Sequence, residues 1–181
     1  MWSIPKAKWA PGPWHDEPDE LRWKDEATGL PCIILRGPGG SLCGYVGVSK
    51  RHHFYKRSYD DKAEVPFLLA INLLNISGYD CDVYRQVAVD GTLSIESLIS
   101  VHGGLTYGGG TLTDKPRGYW WLGFDCGHAG DLMPYLNALR DGAHLQISDE
   151  IYRDIDYVKN ECAKLAWQFG FIDEWMKGRK S

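Results

Sequence analysis

The sequence predicts an α+β fold: a single domain with a mainly antiparallel sheet, a long C-terminal amphipathic helix packed on it, and an irregular Trp-rich N-terminal arm. Two observations carry this. Short apolar runs bounded by Gly and Pro recur along the chain, as strands do. One sustained apolar stripe at helical period stands near the C-terminus. The irregular order of the two kinds of segment argues against a doubly wound sheet. A length of 181 residues suits one domain with a real core. It divides into an arm (1–30), an α+β body (31–170) and a C-terminal tail (171–181).

The arm is rich in Pro and acidic residues, and Trp2, Trp9, Trp14 and Trp23 predict that it packs onto the body. Residues 30–37 and 42–49 are apolar runs separated by the turn sequence GPGGS, and read as a β-hairpin. Residues 65–76 read as a buried helix, and 82–89 as either a strand or a helix. Residues 100–110 read as a strand entering a flexible loop, and 119–126 as a strand. Asp131 is placed to cap a short helix through Leu139, with Pro134 tolerated in its first turn. In 148–169, Ile151, Ile155, Val158, Cys162, Leu165, Ala166 and Phe169 form one stripe at a 3.6 period. Ser148 or Asp149 would cap this helix and Gly170 would stop it.

The net charge of −4 argues against an extended nucleic-acid interface, which needs a basic face. The first twenty residues have no apolar stretch of the kind a signal peptide carries. The longest apolar run, 65–76, falls short of the ~20 residues that span a membrane. Five cysteines without CxxC spacing do not form a disulfide framework, so a reduced, cytoplasmic protein is expected.

Two strands share a peculiarity. Side chains alternate across a strand. In 119–126, Trp120, Leu122, Phe124 and Cys126 make an apolar face for the core, while Tyr119, Trp121, Gly123 and Asp125 share the other. In 101–107, His102, Gly104 and Thr106 share one face, and Gly103 lies on the other with Val101, Leu105 and Tyr107. Glycine inside a strand often marks close approach of a ligand or another backbone. A hollow rimmed by His102, Thr106, Trp121 and Asp125 is therefore expected. The plain structural reading stands beside it: His102 as a satisfied histidine, Asp125 as a turn former.

Several chemistries fit these residues. His102, His128 and Asp131 could hold a divalent metal, although none is required; Cys126 is a poorer ligand because it faces the core. Without a metal, His102 or His128 could act as general base, oriented by Asp125 or Asp131. Glu161, on the flank of the helix, could reach such a pocket with Tyr157 one turn before it; ordinary boundary pairing is the alternative. The segment 50–61 alternates basic, aromatic and acidic groups, and His52, His53, Lys56 and Arg57 could clamp an anion or belong to a solvated loop.

The phrases GLPCIILR, LCGYVGVSK, VHGGLTY, WWLGFDCGHAGD and YRDIDYVKNECAKLA, in this order over residues 28–169, resemble a group of small proteins encoded by phages, prophages and bacteria. The resemblance implies an intracellular accessory protein and carries no catalytic set. It also implies that His52 or His53 stands where related chains have a Gly-His-Pro-like phrase, and that 65–76 is an insertion. Three functions follow. The first is binding of a small anionic, nucleotide-like ligand in a Gly/Trp/His pocket, such as sequestration of a host signal. There the ligand would meet His52, His53, Lys56, Arg57, Gly103, Gly104, Thr106, Trp121, Gly123, Tyr157 and Glu161. The second is a metal-assisted or His/Asp-dependent hydrolase of a phosphorylated or nucleotide substrate, with His102, Asp125, His128 and Asp131 as its catalytic set. The third is a protein–protein adaptor with the Trp-rich arm as its interface.

Overall fold

A computed structural model describes residues 5–64, 91–112, 117–142 and 149–178. A five-stranded antiparallel sheet runs in the order β1-β2-β3-β7-β6. Its strands are β1 (Glu20–Lys24), β2 (Pro31–Arg36), β3 (Leu42–Val48), β6 (Tyr107–Gly109) and β7 (Trp120–Asp125). A separate pair joins β4 (Lys62–Glu64) to β5 (Thr92–Ser94), which leads into a single helical turn, α1 (Ile95–Leu98). Helix α2 (Pro134–Gly142) follows β7, which lies between β3 and β6, and α3 (Ile155–Lys177) closes the fold. The α+β class, the antiparallel sheet and the long C-terminal helix agree with the expectation from sequence. The expected segments 65–76 and 82–89 lie outside the described residues.

The hairpin reads as expected, with Cys32 opposite Val46 and Arg36 opposite Leu42. Helix α3 lies across β2 and β3. Its stripe of Val158, Cys162, Leu165, Ala166, Phe169 and Ile172 is buried against Cys32, Ile34, Val46, Leu122, Phe124 and Cys126. The two layers meet closely at Gly44, where a Cβ would stand 2.7 Å from the Cys162 sulfur. The four described cysteines are free. Burial pushes the Cys32 thiol up to about 12, the mark of a packing residue rather than a reactive one. Among the described residues, no helix is long and apolar enough to cross a membrane.

Four local expectations are corrected. Helix α3 begins at Ile155, capped by the Asp154 side chain accepting from Tyr157 N–H, so Asp149 caps nothing there and Ile151 is exposed. The helix also runs through Gly170 to Lys177, which makes 171–177 helix rather than tail. Residues 101–106 form a turn and loop instead of a strand, because Gly103 and Gly104 take φ of +63° and +85°, outside the β region. Asp131 does not cap α2. The Gly39 carbonyl accepts from the N–H groups of Tyr135 and Leu136, and Asp131 sits in a bridge with Ile151. Within the arm, residues 20–24 are β1, an edge strand; Trp9 and Trp14 are buried and Trp23 is half-buried, as expected of a packed arm, while Trp2 lies outside the described residues.

Candidate metal-binding site

The loop before β6 and the loop after β7 converge on the first turns of α3. The flank residues of the helix hold the first loop. Gln168 brackets Ser100, accepting from its N–H and donating to its carbonyl, both at 2.9 Å. One heptad earlier, Glu161 Oε2 accepts from the His102 N–H at 2.7 Å. One turn earlier again, the Tyr157 hydroxyl meets His102 Nδ1 at 2.9 Å. The other ring nitrogen, Nε2, lies 2.7 Å from Asp131 Oδ2.

Asp131 is the hub of the cluster. Only 2% of its side chain is exposed. Its Oδ1 accepts from Arg153 Nε at 2.9 Å, and Oδ2 accepts from the His128 backbone N–H at 3.1 Å. Burial alone would raise its pKa, but the bonds from His102, Arg153 and His128 outweigh that and hold the carboxyl below its ordinary value. Asp131 is thus an anchored anion. Arg153 in turn lies 4.8 Å over the Tyr157 ring. Among the described residues its terminal guanidinium nitrogens make no other hydrogen bond.

His128 completes the cluster from the opposite loop. Its ring packs edge-on against His102, with centroids 5.7 Å apart. Nδ1 is buried, 3.7 Å from Asp131 Oδ2 and 3.9 Å from Asp125 Oδ1, with no hydrogen-bond partner among the described residues. The ring fits there because residue 103 is glycine: a Cβ would stand 2.1 Å from His128 Cε1. His102, His128 and Asp131 each offer one ligand atom, all within 4.8 Å of one another. Ligands about 2.1 Å from a common ion sit roughly 3–4 Å apart, so the group could hold a divalent metal through two imidazoles and a carboxylate. The bond from Tyr157 to the far nitrogen of His102 is the outer contact that orients such a ligand.

Of the residues expected from sequence, the structure gathers His102, His128, Asp131, Tyr157 and Glu161. Asp125 and Thr106 stand beside them: Thr106 donates to Asp125 Oδ2 at 2.9 Å, while Oδ1 closes a turn with the Gly127 N–H. Gly103 is part of the cluster, but it makes room for His128 rather than for a ligand. Gly104 meets nothing within 4 Å of its Cβ direction. Trp121 is a correction: it is 1% exposed, packed over Gly47 and Pro31, and presents no face to a ligand. Gly123 is another, since the Tyr45 ring occupies the space over it. The segment 50–61 lies against other parts of the fold. His52 is buried, accepting from the Phe54 N–H through Nδ1, so that Nε2 carries the hydrogen and donates to the Phe169 carbonyl. Burial lowers its pKa and keeps it neutral, so it is a packing histidine and not an anion clamp. His53 packs beside Phe54, Lys56 is exposed, and the Arg57 carbonyl accepts from the Trp120 indole. The bonds of His52 and Arg57 thus run to α3 and β7 and not to the cluster.

Sequence reasoning missed Arg153. Its signal was the i, i+4 spacing to Tyr157, which sets both residues beside the same loop. The chain matches none of the protein-family models, curated proteins or solved structures with which it was compared.

Proposed function

We propose that this chain is a metal-assisted hydrolase of a phosphorylated substrate, with His102, His128 and Asp131 as the metal ligands. The observation that carries the reading is the buried, unpartnered Nδ1 of His128 directed at an anchored carboxylate. A buried polar atom without a partner is costly, and an ion satisfies it. His102 supports the reading from the other side. Its Nδ1 is held by the Tyr157 hydroxyl and its Nε2 is turned to Asp131, so an ion bound between Nε2 and the carboxylate would take the place of that one contact and leave the orienting bond to Tyr157 intact. A divalent ion here would polarise a phosphoryl oxygen and lower the pKa of a bound water. Arg153, with its terminal nitrogens unused, holds a second substrate oxygen. Water adds to phosphorus as the ester P–O bond breaks. Asp125 takes the water's proton, and the leaving alkoxide recovers one, so the chain ends unchanged. The phage-type setting implied by the sequence resemblance belongs to the same proposal.

Metal uptake and turnover test it together. The purified chain, stripped with chelator, should bind Zn²⁺ or Mn²⁺ at one equivalent. His128→Ala should weaken that binding by roughly tenfold or more while leaving the melting temperature of the metal-free protein nearly unchanged. Metal-loaded protein should hydrolyse an aryl phosphate ester, and His128→Ala should abolish this. No metal uptake would sink the reading. Uptake with a nucleotide retained intact and no product would reassign the site to ligand binding, the first of the functions the sequence suggests.

A further inference from the structure

The pairing of β3 with β7 ends at Val48 opposite Trp120. The chain leaves β3 through Ser49, Lys50 and Arg51 and enters β7 through Arg117, Gly118 and Tyr119. The pairing therefore brings two segments that are distant in sequence to one end of the sheet. These six residues line a shallow depression. Its three cationic side chains are exposed, and none has an ion-pair partner among the described residues. Among the described residues no carboxylate lines it, in a chain whose net charge is −4. Asp125, beside the histidine cluster, is at the far end of β7, about 17 Å away at the usual rise per residue, so this is a separate place on the molecule.

We infer that this depression binds the phosphates of a nucleotide. Like charges gathered without a counter-charge repel one another, and a polyanion relieves that repulsion. Arginine offers its planar fork to phosphate oxygens, and lysine a point charge. Ser49 Oγ accepts from the Arg51 N–H at 3.4 Å, which leaves its hydroxyl hydrogen to donate. Gly118 takes φ +87° and puts no Cβ over the floor, so an anion can approach the backbone there. The Tyr119 ring, tilted against Trp121 at 6.0 Å, forms one wall and supplies a flat apolar face for a base. Phosphate contacts from three cations plus one aromatic wall fit a nucleoside diphosphate better than a bare inorganic anion.

Calorimetric titration of the full chain in chelator, at low salt, tests the inference; chelator keeps the histidine cluster free of metal. Pyrophosphate and ADP should bind at one equivalent, and adenosine should not. Raising salt from about 50 to about 500 mM should weaken ADP binding by roughly tenfold. The double variant Arg51→Ala/Arg117→Ala should weaken both ligands at least tenfold with an unchanged circular dichroism spectrum and melting temperature. Tyr119→Ala should weaken ADP but not pyrophosphate. The inference is overturned if the double variant binds as the parent does, if neither ligand binds at millimolar concentration, or if His128→Ala and not the arginine pair removes binding. Tighter binding of a single-stranded oligonucleotide than of ADP would also overturn it, because the patch would then belong to a nucleic-acid surface. Equal loss of ADP and pyrophosphate in Tyr119→Ala would remove the role of the base.

Discussion

At the scale of single residues, the site depends on what occupies the space over Gly103. From sequence, Gly104 between His102 and Thr106 reads as room for a ligand, while Gly103 falls on the apolar face. The space that matters is over Gly103, where His128 sits, and nothing local in VHGGLTY could reveal a partner twenty-five residues away. The neighbouring Gly104 has the same left-handed backbone and nothing above it, which makes the two glycines a matched pair. Alanine at either should cost about 1–2 kcal/mol through backbone strain alone. Gly103→Ala must in addition displace the His128 ring, whereas Gly104→Ala need not. The expected outcome is two variants of similar stability, of which only Gly103→Ala loses metal affinity, read by calorimetric titration with Zn²⁺. Equal affinities in both variants would show that His128 does not need its present position to bind an ion. His102, His128 and Asp131 themselves were legible as chemistry-bearing residues beside glycines. What the sequence could not show is that Asp131 serves the histidines instead of a helix end, because that depends on Gly39 capping α2 from another loop.

At the scale of elements, the apolar stripe of α3 was legible and its ends were not. Periodicity reports which face is buried, while the ends depend on caps and tertiary contacts. Asp154 competes with Asp149 and wins because its side chain reaches the Tyr157 N–H. Gly170 stays helical, with Thr28 packed 3.2 Å from its Cβ direction. Edge strand β1 carried a strict alternation in ELRWK, masked by the surrounding prolines and acids. The misplaced helix start gives a direct test. Leu165 is 0% exposed and Ile151 is 56% exposed, although both fall on the same sequence stripe. Leu165→Ala should cost about 2–5 kcal/mol in chemical denaturation, and Ile151→Ala less than about 0.5 kcal/mol. Similar losses would mean that the helix begins before residue 151 and buries both.

At the scale of the whole molecule, the N-terminal arm connects the sheet to the site. Arg36 on β2 is 3% exposed and clasps four groups. It donates to Asp19 Oδ1 at 2.7 Å, Glu17 Oε2 at 3.0 Å, the Tyr152 hydroxyl at 2.8 Å and the Gly40 carbonyl at 2.9 Å. Glu17 also accepts from the Ile155 N–H, the first residue of α3, and from the Tyr152 hydroxyl. Trp14 packs edge-on against Tyr152 at 5.0 Å. The residue after Tyr152 is Arg153, which holds Asp131. The arm thus fixes the segment from which the hub of the cluster is anchored. Arg36→Ala removes the buried cation shared by Glu17 and Asp19, leaves Asp19 with Lys6 alone, and should cost on the order of 3 kcal/mol. It should also loosen Tyr152 and, through Arg153, weaken metal binding by roughly tenfold, the low end of what outer partners of metal ligands contribute. Acid should act at the same joint. Burial tends to raise the pKa of Asp19, but Lys6 and Arg36 outweigh it and hold the carboxyl below its ordinary value of 3.8. A carboxylate with a depressed folded pKa contributes stability that is present above its unfolded value and lost as pH falls through the folded one. The arm should therefore release below about pH 4, ahead of the core. Limited proteolysis checks both effects: cleavage within residues 5–19 should rise in Arg36→Ala at neutral pH, and in the parent chain at low pH with an acid-active protease. If Arg36→Ala frees the arm and leaves metal affinity unchanged, the arm is packed on the fold without supporting the site.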